Sequence, residues 1–207
     1  DSGPPGPITA ADYNGLYVLE EKVKIHKQRV DIDELQDENT TPPSVTGGYL
    51  FSIDKDGDWP PLYAANSSMW YIDPDAATIS TPQRAPQMQY ITDYLNAFYS
   101  ALTGPSWTNP VTGYAAYIDV PAFIDFHLHQ TLVFNVDMLR ISTFYCKPRN
   151  GKLTPAALWD FDRAFGMYSA DGDYRGFNPS RWRSAGMDGG TDPFNPCNTF
   201  DNPWYGR

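Results

Sequence analysis

Three aspartates in the second half of the chain have the residue type and spacing expected of a site that handles metal and phosphate. Asp137 follows a long apolar segment, whereas Asp160 and Asp162 follow a shorter one. Between them, Asn150-Gly151 is a strong signal for a β-hairpin turn. Because a hairpin brings its two ends together, Asp137 and Asp160 are predicted to face one cleft.

Carboxylates arranged in this way suit phosphoryl transfer. The reaction needs a divalent cation that screens the phosphates and a carboxylate that orients the attacking hydroxyl. Mg²⁺ is typically held by one or two carboxylates together with phosphate oxygens and water. Protein kinases place these parts in the order buried helix, catalytic aspartate, short hairpin and metal-binding aspartate. The present sequence has the same order of parts.

Two helices are predicted before the first aspartate. One begins after Thr81-Pro82 and stops at Gly104-Pro105. Its predicted buried stripe repeats at steps of three or four: Met88, Ile91, Leu95, Phe98 and Leu102. The other begins at an Asp119 cap and runs to Asn135. Its predicted buried face consists of Val120, Ile124, Leu128 and Leu132, widened by Phe123 and Phe134.

Strands are predicted from clusters of aromatic and β-branched residues bounded by turn residues. They cover residues 15–19 with a charged continuation through 20–25, and then 48–53, 69–72, 142–146 and 153–159. Pro155 predicts that the last of these lies at a sheet edge or near its own start. The predicted fold class is therefore α+β.

Several segments resemble the CotH family, whose members are spore-coat and surface-associated proteins with an atypical kinase fold. The segments are 13–23, 47–54, Asn135-Val136-Asp137 and the stretch from Leu158 to Gly166, which includes Trp-Asp-Phe-Asp. The resemblance extends from about residue 13 to residue 207.

The resemblance implies a role for each candidate residue. Asp137 would orient a substrate hydroxyl and accept its proton, and Asp160 would bind Mg²⁺ or Mn²⁺ at the phosphates of ATP. Asp162 would be a second metal ligand or a structural acceptor. Glu21 would lie at the hinge near the adenine. Ser142 stands where kinases carry an asparagine that holds a second metal, and it is the remaining candidate for cofactor binding.

The resemblance also implies one partial domain over residues 1–207. This domain would be mainly the C-terminal lobe of an atypical kinase with a few strands of the N-terminal lobe or hinge. Strands and hinge would occupy 1–80, a helical catalytic core with the hairpin 81–168, and an irregular surface segment 169–207. The sequence contains no glycine-rich phosphate loop. That loop and the phosphate-binding lysine are therefore expected upstream in a longer protein. The activity of this fragment would depend on those upstream parts.

Composition narrows the classes of partner. The formal charge of −10 disfavours nucleic acid, which needs a basic surface. No stretch approaches the roughly 20 apolar residues of a membrane-spanning helix. Cys146 and Cys197 either form one disulfide or remain two thiols. The resemblance implies a location outside the cell or on a cell or spore surface, with ATP as one substrate and protein serine or threonine as the other.

Two other functions fit parts of the sequence. The content of 6 Trp, 14 Tyr and 11 Phe is compatible with a carbohydrate-active hydrolase. Its paired carboxylates would flank a sugar at about 5–10 Å from one another in an aromatic-lined groove. The long acidic loops are compatible with a non-catalytic surface module that binds calcium or a partner, and such a module would not be stabilised by nucleotide.

Overall fold

The computed structural model has an α+β fold built on one antiparallel sheet. It describes residues 9, 15, 21–135, 137, 141–166 and 204. The five strands are β1 (Tyr49–Ile53), β2 (Leu62–Ala64), β3 (Ser67–Asp73), β4 (Thr143–Lys147) and β5 (Thr154–Ala157). Their order in the sheet is β2-β3-β1-β4-β5, and every neighbouring pair is antiparallel.

The predicted hairpin is confirmed as β4 and β5. Asn150 takes a left-handed conformation (φ 55°) in the turn, as its type favours. β5 carries Pro155 and lies at an edge of the sheet, where a missing N–H disrupts no ladder. The register of β4 against β1 aligns Ile53 with Thr143 and Tyr49 with Lys147. Ser142, which precedes β4, therefore lies at the same end of the sheet as the end of β1.

Three α-helices are present in the described residues: α1 (Ala76–Ile79), α2 (Ala85–Thr103) and α3 (Val120–Val133). The prediction for α2 is confirmed, including its end at Gly104 and a preceding 3-10 turn, Pro82–Arg84. Its predicted stripe faces the core: Ile91, Leu95, Phe98 and Leu102 are buried and Met88 is partly buried.

The extent of α3 was predicted correctly, but its buried face was predicted only in part. Phe123 and Phe134 are buried as predicted, whereas Ile124, Leu128 and Leu132 are 52%, 48% and 84% exposed. The helix also buries Phe126, Gln130 and Val133. Apolar residues occur on several sides of α3, so their spacing alone does not predict which side packs against the sheet. The choice is made by tertiary contact, since the Phe123 ring stacks on Tyr145 of β4 at a centroid distance of 5.8 Å.

The predicted strand at 20–25 is also wrong over its described part. Residues 21–25 contain only an isolated bridge between Ile25 and Val30. Their apolar side chains join Leu50 and Cys146 in a small separate cluster instead of extending the sheet. The preceding prediction at 15–19 lies outside the described residues except for Gly15.

Two arginines hold the loop before β1 against the body of the fold. Arg84 bonds Asp37 through Nε at 2.7 Å, and Arg149 lies 3.2 Å from Asp33. Arg149 follows β4, so this second ion pair lies at the end of the sheet opposite to Ser142.

Trp204 anchors the end of the chain in the core. It is 6% exposed, it lies 5.0 Å from Tyr145 and 5.5 Å from Phe98 between ring centroids, and its indole N–H donates to the Ala65 carbonyl. The prediction of an irregular surface segment over 169–207 is therefore wrong at this position. The other residues of that segment, including Cys197, lie outside the described part.

Candidate catalytic site

Asn135 joins the two principal aspartates. It follows the end of α3, where Phe134 turns the chain in a left-handed conformation (φ 48°). Its buried amide Nδ2 donates to the Asp160 carbonyl at 2.9 Å, and its Oδ1 accepts the Asp137 N–H at 3.3 Å. One buried side chain thus binds the backbone of both acids.

Ser142 makes a second connection to Asp160. Its hydroxyl donates to Asp160 Oδ2 at 2.9 Å from the start of β4. Ser142 has φ 55°, a left-handed conformation that asparagine adopts more readily than serine. The position where kinases carry asparagine therefore has a backbone suited to asparagine, and the serine acts on the candidate metal ligand.

The carboxylate of Asp137 is paired with a neighbouring cation. Arg163 Nη1 lies 3.0 Å from Oδ1 and 3.2 Å from Oδ2 of Asp137. The Asp137 side chain is 8% exposed and that of Arg163 is 23% exposed. A buried carboxylate is costly unless it is paired and hydrogen-bonded, so Arg163 offsets much of the cost of burying Asp137.

Asp160 and Asp162 are exposed and sit in an excess of negative charge. Desolvation raises the pKa of Asp162 above its usual range, and the Asp160 charge, a hydrogen bond with Asp160 and the Asp137 charge raise it further. The Arg163 guanidinium opposes this shift. Among the described residues, Asp162 therefore lies within reach of the negative charges of Asp160 and Asp137 and of the positive charge of Arg163. A bound divalent cation would relieve the repulsion between the carboxylates.

The donor set fits a magnesium-type site. Asp160 and Asp162 offer hard carboxylate oxygens, and Mg²⁺ commonly uses one or two such ligands with water and phosphate for the rest. In the described part of the chain, no group of three or more His, Cys, Asp and Glu side chains is arranged to hold a metal ion.

The backbone around the acids is unusually contorted. Phe134, Ser142, Asp160 and Phe165 all have φ between 48° and 57°. Such conformations are uncommon outside glycine and cluster at functional sites. The Phe165 N–H donates to the Val133 carbonyl at 2.7 Å, which docks the segment after Asp160 on the end of α3.

Glu21 is not linked to this group by any hydrogen bond or ion pair among the described residues. Its side chain is 58% exposed and forms an ion pair with Arg29. The predicted place of Glu21 near an adenine stays a prediction.

Sequence reasoning assigned no role to Asn135 or Arg163, although both lie inside the segments that carry the family resemblance. Their hydrogen-bonding capacity was the signal that could have identified both residues. An asparagine two residues before an acid can accept that acid's N–H, and an arginine within an acidic run has carboxylates to bind.

The comparison with known families identifies the family of the chain. The model of the CotH kinase protein family matches residues 8–204 of the 207-residue chain. The chain therefore belongs to the CotH kinase family. No curated protein and no solved structure matches it. Membership supports a kinase-like function in general. Among the described helices, none has the length and apolar character needed to cross a membrane.

Proposed function

We propose that this protein transfers the γ-phosphoryl group of ATP to serine or threonine of an exported or surface protein, with Asp137 as base and Asp160 as metal ligand. The observation that carries the proposal is the Asn135 bridge. A single buried amide binds the backbone of both acids, which the hairpin separates in sequence. Family membership supports the reaction class.

In this proposal each residue acts on a stated atom. Asp137 accepts a hydrogen bond from the acceptor hydroxyl and takes its proton as the hydroxyl oxygen bonds to the γ-phosphorus. The bond from that phosphorus to the β–γ bridging oxygen breaks, and ADP leaves with the electron pair. Asp160 and Asp162 would hold Mg²⁺, which supplies charge neutralisation at the phosphates when bound. Ser142 and Asn135 keep Asp160 in place.

A hydrolase that works on sugars is less well supported. One aromatic-lined cavity has a volume of about 380 Å³ and is lined in part by Trp107, Tyr114 and Trp204. None of the three aspartates lines it. Paired carboxylates flanking a sugar within an aromatic groove are therefore not the arrangement observed in the described residues.

The experiment separates nucleotide binding from chemistry in the full-length protein. Thermal unfolding is measured with and without ATP and Mg²⁺, and phosphate transfer to dephosphorylated casein and to water is followed in parallel. At 100 times Kd, a ligand stabilises the native state by about 2.7 kcal/mol, which is easily measured. We expect Asp160→Asn to lose most of the Mg²⁺-dependent stabilisation, and Asp137→Asn to keep it but lose transfer.

Asp31→Asn is the matched control, because Asp31 is an exposed aspartate in the loop held at the opposite end of the sheet. It makes the same change in charge and should leave both readouts unaltered. The proposal is wrong if millimolar ATP with Mg²⁺ does not stabilise the wild type. The metal assignment alone is wrong if Asp160→Asn behaves like Asp31→Asn.

A further inference from the structure

Arg163 is the cation that contacts the proposed base, and it belongs to the same short segment as the proposed metal ligands. It lies one residue after Asp162 and three after Asp160. Its Nη1 contacts both oxygens of Asp137, at 3.0 and 3.2 Å. The segment 160–166, which would bind the metal, therefore also contacts the proposed base, Asp137.

We propose that Arg163 is a positioning residue for Asp137, and that it makes the orientation of the base conditional on docking of the segment 160–166. The inference rests on the proposed function and names a residue and a coupling that the function does not require. Asp137 is fixed at its backbone by Asn135, but rotation of its carboxylate is restrained by Arg163.

Three bonds dock that segment on the rest of the site. Asn135 donates to the Asp160 carbonyl, Ser142 donates to Asp160 Oδ2, and the Phe165 N–H donates to Val133. Arg163 lies between the first two contacts and the third in sequence. When the segment is docked, the Arg163 guanidinium contacts Asp137. When the segment is displaced, the Asp137 carboxylate loses its contact with Arg163.

The contact with Arg163 does not by itself occupy the whole carboxylate of Asp137. A carboxylate has about four lone-pair positions on its two oxygens, and one guanidinium nitrogen placed between the oxygens uses only the side that faces it. Proton acceptance by Asp137 therefore does not require Arg163 to leave the base.

The test compares two arginines of similar exposure. Arg149 is 26% exposed and pairs with Asp33 at 3.2 Å, and Arg163 is 23% exposed and pairs with Asp137 at 3.0 Å. Their partners differ, since the Asp33 side chain is 64% exposed and the Asp137 side chain is 8% exposed, so the kcat values are compared at a temperature where both variants are folded. Arg163→Met and Arg149→Met make the same substitution, and each removes one ion pair. Only the first touches the proposed base.

In the full-length protein we expect Arg163→Met to lower kcat by about 100-fold, the scale expected when a reacting group is misplaced by about 1 Å. Its KM for ATP and its stabilisation by ATP with Mg²⁺ should stay unchanged. Arg163→Lys, which restores a cation but not a planar fork, should recover part of kcat. Arg149→Met should change neither constant.

Two results would overturn the inference. Equal kcat values for Arg163→Met and Arg149→Met in an active protein would show that Arg163 does not position Asp137. A loss of nucleotide stabilisation in Arg163→Met would assign the arginine to phosphate binding instead. A wild type that neither transfers phosphate nor responds to ATP would refute the proposed function itself, so the two failures are distinguishable.

Discussion

Lys147 is the last residue of β4, and its burial makes it a measurable source of pH dependence. It is 1% exposed, and in the described part of the chain no carboxylate pairs with it. Its ammonium donates to the Thr46 and Pro148 carbonyls and lies 4.6 Å from the centroid of the Tyr94 ring. Burial lowers the pKa of Lys147 to about 8, against 10.5 for the ordinary side chain.

The direction of the effect follows from proton binding. Between pH 8 and 10.5 the unfolded chain keeps its Lys147 proton while the folded chain has largely lost it. Unfolding therefore becomes less favourable as pH rises through this interval. From pH 7 to pH 9.5 the two pKa values give about 2 kcal/mol of added stability from this one group.

Other groups limit the useful range. Burial raises the pKa of Tyr71 and of Tyr94 to about 12, so tyrosine ionisation in the unfolded chain lowers stability above about pH 10. Burial raises the pKa of the Cys146 thiol to about 11, which also opposes the lysine effect. A Lys147→Met variant keeps these groups, so the difference between the two proteins isolates Lys147.

The assay is urea unfolding at pH 7.0, 8.0, 9.0 and 9.5, followed by the fluorescence of the 6 tryptophans. We expect the difference in free energy of unfolding, wild type minus Lys147→Met, to increase by about 2 kcal/mol between pH 7.0 and pH 9.5. Parallel curves would mean that Lys147 keeps its proton in the fold, and the reasoning from burial would then be wrong.

Three further substitutions test the site and the core. Asn135→Ala leaves the Asp160 carbonyl and the Asp137 N–H without their amide partner, so urea unfolding should show a loss of about 2 kcal/mol. Ser142→Asn places a residue that tolerates a left-handed backbone better than serine at φ 55°, so a Mg²⁺ titration of ATP-dependent stabilisation should reach its midpoint at lower Mg²⁺ without loss of stability. Trp204→Ala removes a buried indole between two rings, which should cost about 3–5 kcal/mol and be visible in thermal unfolding.

Local signals predicted the parts of the fold that local chemistry decides. The α2 stripe, the Asn150-Gly151 turn and the edge position of Pro155 each follow from the residues themselves, and all three are confirmed. The rest of the α3 face was not predictable in this way, because apolar residues occur on several sides of the helix and contact with the sheet selects among them. Phe123 is buried as predicted and packs on Tyr145, whereas Leu132 is 84% exposed.

The candidate site shows the same division. Asp137, Asp160 and Ser142 could be found from order along the chain and from family resemblance. The Asn135 bridge and the Arg163 pair could not, because both depend on how the end of α3 meets the segment after β5. Such contacts depend on distances across the fold, which sequence spacing does not give.

The left-handed residues around the acids bear on any attempt to move this site to another protein. Phe134, Ser142, Asp160 and Phe165 turn the backbone in a way that L-residues resist, at about 1–2 kcal/mol each. A designer who copied only the acids onto a regular helix and hairpin would reproduce their identities but not the orientation of their carboxylates. A transplant would have to carry all four turns, and the recipient scaffold would need enough surplus stability to tolerate them.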